Sequence, residues 1–233
     1  MQYTWLLFDA DGTLFDYEQA EAQALRETFE QFGHPYLDSH LALYRPINQQ
    51  LWLDLERGTV SPAVLQVRRF ELLLQALGLH DDAAAFGAHY LQNLAGAWAL
   101  MDGAEETIRT LHQTHRLVVI TNGLRDVQRP RLNASPIGKY FDDVVISEEI
   151  GVAKPSSAFF DVAFARMNHP DKRQVLLIGD SLSADIRGGI DYGLDTCWFN
   201  PQHLPRPDGL NIRYEIGTLP QLIILLEELA SGA

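Results

Sequence analysis

The chain has 233 residues, 46% of them hydrophobic, which is ample for a packed core and argues against disorder. Its 18 Lys and Arg stand against 31 Asp and Glu, a formal net charge of −13 that repels nucleic-acid polymers and anionic membranes, so neither is an expected partner. No apolar run approaches the ~18 residues of a membrane span, the start lacks the basic residues of a signal peptide, and a lone cysteine allows no internal disulfide, so a reducing cytoplasm is the expected location.

In chain order, Tyr3-Thr4-Trp5-Leu6-Leu7-Phe8 reads as a buried parallel strand, and it ends in Asp9-Ala10-Asp11-Gly12-Thr13. Four helical patterns follow: Glu18 to Phe32 with Gly33 as its stop, Asp38 to Glu56, a third with Ser61 as N-cap and Pro62 at its first position, ending at Gly78, and a fourth from Asp81 to Ala97. No convincing strand interrupts them, so they read as a helical bundle inserted as a unit. From Gly103 the pattern alternates. Strands are expected at Leu117-Ile120, Val144-Ile146, Val175-Ile178 and Thr196-Phe199, with helices at Ala104-His112, Leu124-Asn133, Ser157-Met167 and Ala184-Tyr192 and a last helix from Leu219 to Leu229. That alternation predicts an α/β fold with a doubly wound parallel sheet. Pro130 predicts a short, kinked or late-starting helix after Thr121.

Parallel strands share one C-terminal edge, and ligands bind there. The residues gathered at that edge are Asp9 and Asp11, then Thr121-Asn122-Gly123, then Lys154 before Pro155, then Asp180 and Asp185. Asp9 and Asp11, two apart in an extended segment, project to one side, and like charges so close need a cation or proton between them. Acids, one lysine and one hydroxyl suit a divalent metal with a phosphoryl group, because Mg²⁺ prefers oxygen ligands and links carboxylates to phosphate. Lys154 can balance the carboxylates and meet a phosphate as a point cation, and Thr121 can donate its hydroxyl proton.

Asp9-x-Asp11-Gly12-Thr13, Thr121-Asn122-Gly123, Lys154-Pro155 and Gly179-Asp180-x₄-Asp185 occur in the order seen in the haloacid dehalogenase-like hydrolase superfamily, which the chain resembles over essentially its whole length. The resemblance implies a Rossmann-like catalytic core of residues 1–16 and 101–233 with an α-helical cap of residues 17–100. It implies Asp9 as the nucleophile that forms an aspartyl-phosphate, and Asp11 as the acid and base. It further implies Mg²⁺ (or Mn²⁺) held by Asp9, the Asp11 backbone carbonyl and Asp180, with Asp185 supporting the site. Thr121, Asn122 and Lys154 would bind phosphate. The stretches Pro46-Asp54 and Ile146-Pro155, Ala10, and Asp195-Thr196-Cys197-Trp198 are similar to the bacterial pyrimidine 5′-nucleotidase group, which implies a nucleoside monophosphate as the small-molecule partner of a monomer or small homo-oligomer. Asn48 and Trp52 are the candidate substrate contacts in the cap.

Other readings compete with these. Asp9-x-Asp11-Gly12 opens like a calcium loop but lacks its later ligands. Cys197, in an apolar run, is expected as a buried strand residue and not as a nucleophile. His112 and His115 read as solvated residues near a helix end. A sugar-phosphate phosphatase or phosphomutase would use the same centre, and a catalytically weak phospho-metabolite-binding protein would keep only its binding half. A dehalogenase needs neither Mg²⁺ nor an acid at Asp11.

Overall fold

The computed structural model describes residues 3–232, which form two compact units. The first comprises residues 3–17, 99–125 and 132–232; the second comprises residues 18–98 and 126–131.

The first unit is built on strands β1 (Trp5–Phe8), β2 (Arg116–Thr121), β3 (Asp143–Ile146), β4 (Val175–Gly179), β5 (Asp195–Phe199) and β6 (Tyr214–Ile216). They form one parallel sheet in the order β3-β2-β1-β4-β5-β6. Because β1 sits between β2 and β4, the order reverses there, and the crevice beyond the C-terminal ends of β1 and β4 is the switch point at which such sheets bind ligands. The two-residue period of the strands divides their side chains between two layers. Leu6, Phe8, Leu117, Val119, Leu176 and Ile178 pack with Ala104, Ile108 and Leu111 of α5 (Ala104–Leu111) and Leu222 and Leu226 of α10 (Pro220–Ser231). Trp5, Leu7, Val118, Ile120, Val175 and Leu177 pack instead with Phe159, Phe160, Ala163 and Phe164 of α8 (Ser157–Arg166). Helices thus cover both faces, and the fold is the doubly wound one expected.

The second unit contains α1 (Tyr17–Gln31), α2 (Asp38–Glu56), α3 (Pro62–Leu77) and α4 (Ala83–Gly96). The Ser61 hydroxyl accepts from the Val64 N–H at the start of α3, and Gly78 closes that helix at φ +67°, as the local sequence predicts. Phe29, Tyr44, Phe70, Phe86 and Tyr90 form its aromatic centre, with Tyr44 stacked on Phe70 at 5.5 Å between centroids. A polar chain crosses the same unit. Arg69 donates to the Asn48 side-chain Oδ1 (3.0 Å), Asn48 Nδ2 to Glu21 (3.3 Å), and Arg45 to Glu21 (2.9 Å).

Helix α6 (Arg125–Ala134) is short, starts one residue after the expected Leu124 and contains Pro130; burial of Val127, Arg131 and Leu132 along it outweighs the one backbone bond that proline forfeits. Three local features depart from the sequence reading. The segment after Asp180 is a π-helix, Leu182–Arg187, that runs into the short α9 (Gly188–Tyr192). Ser147–Ile150, where no helix was expected, forms one helical turn, α7. Strand β6 was not anticipated: it has three residues, too few to show a period. Among the described residues no helix is long and apolar enough to cross a membrane.

Candidate active site

β1 delivers Asp9 to the switch point, and the Asp9 N–H donates to the Ile178 carbonyl of β4 at 2.9 Å, so the end of the strand is held in register. The chain then turns tightly. The Leu14 and Phe15 N–H groups both donate to the Ala10 carbonyl, and Gly12 N–H donates to that of Phe15. Gly12 adopts φ +82°, and a Cβ there would lie 2.7 Å from Asp180 Oδ2, so both the backbone and the close approach require glycine. Thr13, fully buried, donates its hydroxyl proton to Asp180 Oδ1 (3.1 Å). Asp11 is half-buried, its backbone bridged to Phe15.

Lys154 joins three elements. Its ammonium donates to Asp9 Oδ1 (2.6 Å), Asp185 Oδ1 (2.7 Å) and the Ile120 carbonyl at the end of β2 (2.9 Å), which occupies all three of its protons. The lysine is 2% exposed, so the ion pairs are dry. Asn122, expected as a phosphate contact, spends its side chain on the Lys154 backbone: its Nδ2 donates to the Lys154 carbonyl (2.9 Å) and its Oδ1 accepts the Lys154 N–H (2.8 Å). The Thr121 hydroxyl accepts from Gly123 N–H (3.0 Å), and a hydroxyl so engaged can still donate its own proton. Asp185 is fully buried under Gly179, where a Cβ would stand 2.4 Å from the carboxylate. Its Oδ1 holds Lys154 and its Oδ2 accepts the Ser181 N–H at 3.1 Å.

Carboxylate oxygens of Asp9, Asp180 and Asp185 lie within 4.8 Å of one another. One ammonium faces this trio, so the site carries an excess of negative charge. Burial, and then the neighbouring Asp185, push Asp180 up to about 7. Burial raises Asp9 well above the carboxylate range, Lys154 opposes that, and Asp185 and Asp180 add to it. Lys154 is raised in turn: Asp185 and Asp9 outweigh its own desolvation, which keeps it protonated. The donor set is oxygen only, anionic and short of positive charge, and that fits a hard divalent cation. Because both Asp185 oxygens already accept hydrogen bonds, Asp9 and Asp180 are the carboxylates better placed to ligate it.

The structure brings Asp9, Lys154, Asp180 and Asp185 together, with Asn122 clamped to the Lys154 backbone and Thr121 next to Ile120, whose carbonyl accepts from Lys154; Asp11 lies two residues past Asp9 in the turn. In the helical unit, Asn48 is buried in the Glu21–Arg69 chain and Trp52 is half-buried on α2. Cys197 is fully buried, and burial raises its thiol far above the usual range, so it is no nucleophile. The Thr13 bond to Asp180 was not anticipated, although Thr13 belongs to the Asp9-x-Asp11-Gly12-Thr13 motif. Nor was the Trp198 indole, which donates to the Asp180 carbonyl (3.0 Å), and for that bond no sequence signal existed.

A family model described as haloacid dehalogenase-like hydrolase matches residues 3–193. The HAD-hydrolase YfnB of Bacillus subtilis is 38% identical over 97% of this chain and 96% of its own. Its crystal structure bound to magnesium gives a TM-score of 0.91, covering 97% of this chain and 99% of that one. The pyrimidine 5′-nucleotidase YjjG of Escherichia coli is 32% identical over 97% of this chain and 99% of its own, and the pyrimidine 5′-nucleotidase PynA of Streptococcus pneumoniae 34% over 98% and 97%.

Proposed function

Because the chain belongs to the haloacid dehalogenase-like hydrolases, matched across residues 3–193, we propose that it is a Mg²⁺-dependent phosphatase of nucleoside 5′-monophosphates, pyrimidine nucleotides foremost. The observation that carries this reading is the buried Lys154 bonded to Asp9 and Asp185 beside Asp180, a centre with more carboxylates than cations and so suited to a divalent cation next to Asp9. The likeness to two pyrimidine 5′-nucleotidases supports the substrate class.

In this reading an Asp9 carboxylate oxygen attacks phosphorus while the bond to the nucleoside oxygen breaks, and Asp11 gives that oxygen its proton. Asp11, now a carboxylate, takes a proton from water; the water oxygen attacks phosphorus, and inorganic phosphate leaves with Asp9 restored. Lys154 favours the Asp9 anion against the burial that opposes it, Asn122 fixes the Lys154 backbone, and the Thr121 hydroxyl meets a phosphoryl oxygen. Asp9, Asp180 and the Asp11 carbonyl would hold Mg²⁺ (Mn²⁺ has similar oxygen preferences), which when bound supplies positive charge to the phosphoryl group. The helical unit serves as the cap that selects the leaving group, with Asn48 and Trp52 as contacts to test, and the enzyme works on small molecules in the cytoplasm.

Phosphate release from a panel of nucleotides and sugar phosphates, with Mg²⁺ and with chelator, tests the reading. It expects release that favours pyrimidine nucleoside monophosphates and stops with chelator. Preference for sugar phosphates would overturn the substrate class, and no release from any ester would overturn the activity.

A further inference from the structure

The geometry points to Trp198 as a positioning residue that aims the Asp180 carboxylate at the cation site by holding its backbone from behind; the inference rests on the magnesium reading above. Trp198 lies on β5 directly opposite Gly179 of β4. Its strand neighbours Cys197 and Phe199 pack into the α5–α10 layer, so by the alternation of a strand Trp198 projects to the other face. There its indole Nε1–H donates to the Asp180 carbonyl at 3.0 Å, and its ring is buried with Ile186 and Ile212, flanked by Leu182 and Leu210.

The Asp180 peptide needs such an anchor. Gly179, before it, can carry no side chain, because a Cβ would stand 2.4 Å from the Asp185 carboxylate, and glycine leaves the backbone free to turn. Ser181, after it, opens the π-helix, and the Ser181 carbonyl accepts the N–H groups of Asp185 and Ile186. The Asp180 carbonyl stands one residue ahead of that ladder, and the indole supplies its donor. With this bond in place, the Asp180 side chain meets the Thr13 hydroxyl and lies near the Asp9 and Asp185 carboxylates. The same ring packs on Ile186, next to Asp185, so one side chain braces both acids that follow β4.

The segment that covers the ring is itself tied down. The buried Asn200 amide donates to the Leu204 carbonyl (2.9 Å) and to Glu215 Oε1 on β6 (2.7 Å), and its Oδ1 accepts the Leu204 N–H (2.9 Å). Leu210 and Ile212 return from that loop onto the indole. Groups that orient a metal ligand from outside the coordination shell change metal affinity about 10- to 100-fold when removed.

Titration calorimetry of the full chain with Mg²⁺ tests this in the wild type, in Trp198→Phe, which keeps an aromatic ring but no donor, and in Cys197→Ala, which trims β5 on its opposite face. The expected result is a wild type that binds, a Cys197→Ala variant within about 2-fold of it, and a Trp198→Phe variant weakened about 10-fold or more. Equal affinity in Trp198→Phe, or an equal loss in Cys197→Ala, overturns the positioning role while wild-type binding upholds the magnesium reading. A wild type that binds no Mg²⁺ overturns both. Should Trp198→Phe fail to fold, hydrogen exchange at the Trp198 indole N–H of the wild type decides: by reciprocity of the coupling, saturating Mg²⁺ must slow it, and an unchanged rate overturns the inference.

Discussion

Lys154 carries the charge balance of the site, since one ammonium answers three carboxylates. Replacing it with methionine strands buried acids without a cation. The expected cost is about 3–5 kcal/mol in urea unfolding of the metal-free chain, with turnover down at least about 10²-fold. Asn122→Ala removes two hydrogen bonds to the Lys154 backbone, at about 0.5–1.5 kcal/mol each, so it should lower stability and turnover together even though the Lys154 ammonium is still present. Unchanged turnover in Asn122→Ala would show that Lys154 holds its place without the clamp. Asp9→Asn should abolish phosphate release while the circular dichroism stays that of the folded chain. Already in the sequence, Asp9, Lys154, Asp180 and Asp185 were expected at one edge of the sheet, and the structure brings these four together. What spacing could not reveal was which side chains serve others: Asn122 reads as a ligand contact in its motif, and only the structure joins it to a backbone 32 positions away.

At the scale of elements, local rules held where one residue decides the outcome. Ser61 caps α3, and Ser61→Ala should destabilise the chain by about 1 kcal/mol, read from the denaturant midpoint at constant slope. The turn after β1 is tighter: Gly12→Ala meets both a positive φ and an oxygen at 2.7 Å, so it should weaken Mg²⁺ binding as well as stability, and a loss of stability alone would contradict the close approach to Asp180. Burial on β5 makes a third prediction, that the Cys197 thiol of the native chain reacts with an alkylating reagent more than about 100-fold slower than that of the unfolded chain. Local rules failed where strand pairing decides the outcome. β6 exists because β5 pairs with it, Cys197 opposite Tyr214 and Phe199 opposite Ile216. That cause is not visible in the residues of β6 themselves.

At the scale of the molecule, the alternation of strands and helices implied the doubly wound sheet, and the parallel register then explains why motifs more than a hundred residues apart meet. Asp9 and Asp180 follow Phe8 and Gly179, the ends of paired strands, so their convergence is a property of the sheet and not of any loop. The strand order itself, with β1 between β2 and β4, was beyond the sequence, because nothing local says on which side of β1 the chain returns. If Asp9 carries the phosphoryl group in transit, acid-quenched single turnover with a ³²P-labelled pyrimidine nucleoside 5′-monophosphate will catch it there. With Mg²⁺ the expected result is a transient, hydroxylamine-labile label on the peptide containing Asp9, absent from Asp9→Asn and absent with chelator. Phosphate release at full rate with no protein-bound label, or a label on another residue, would contradict it.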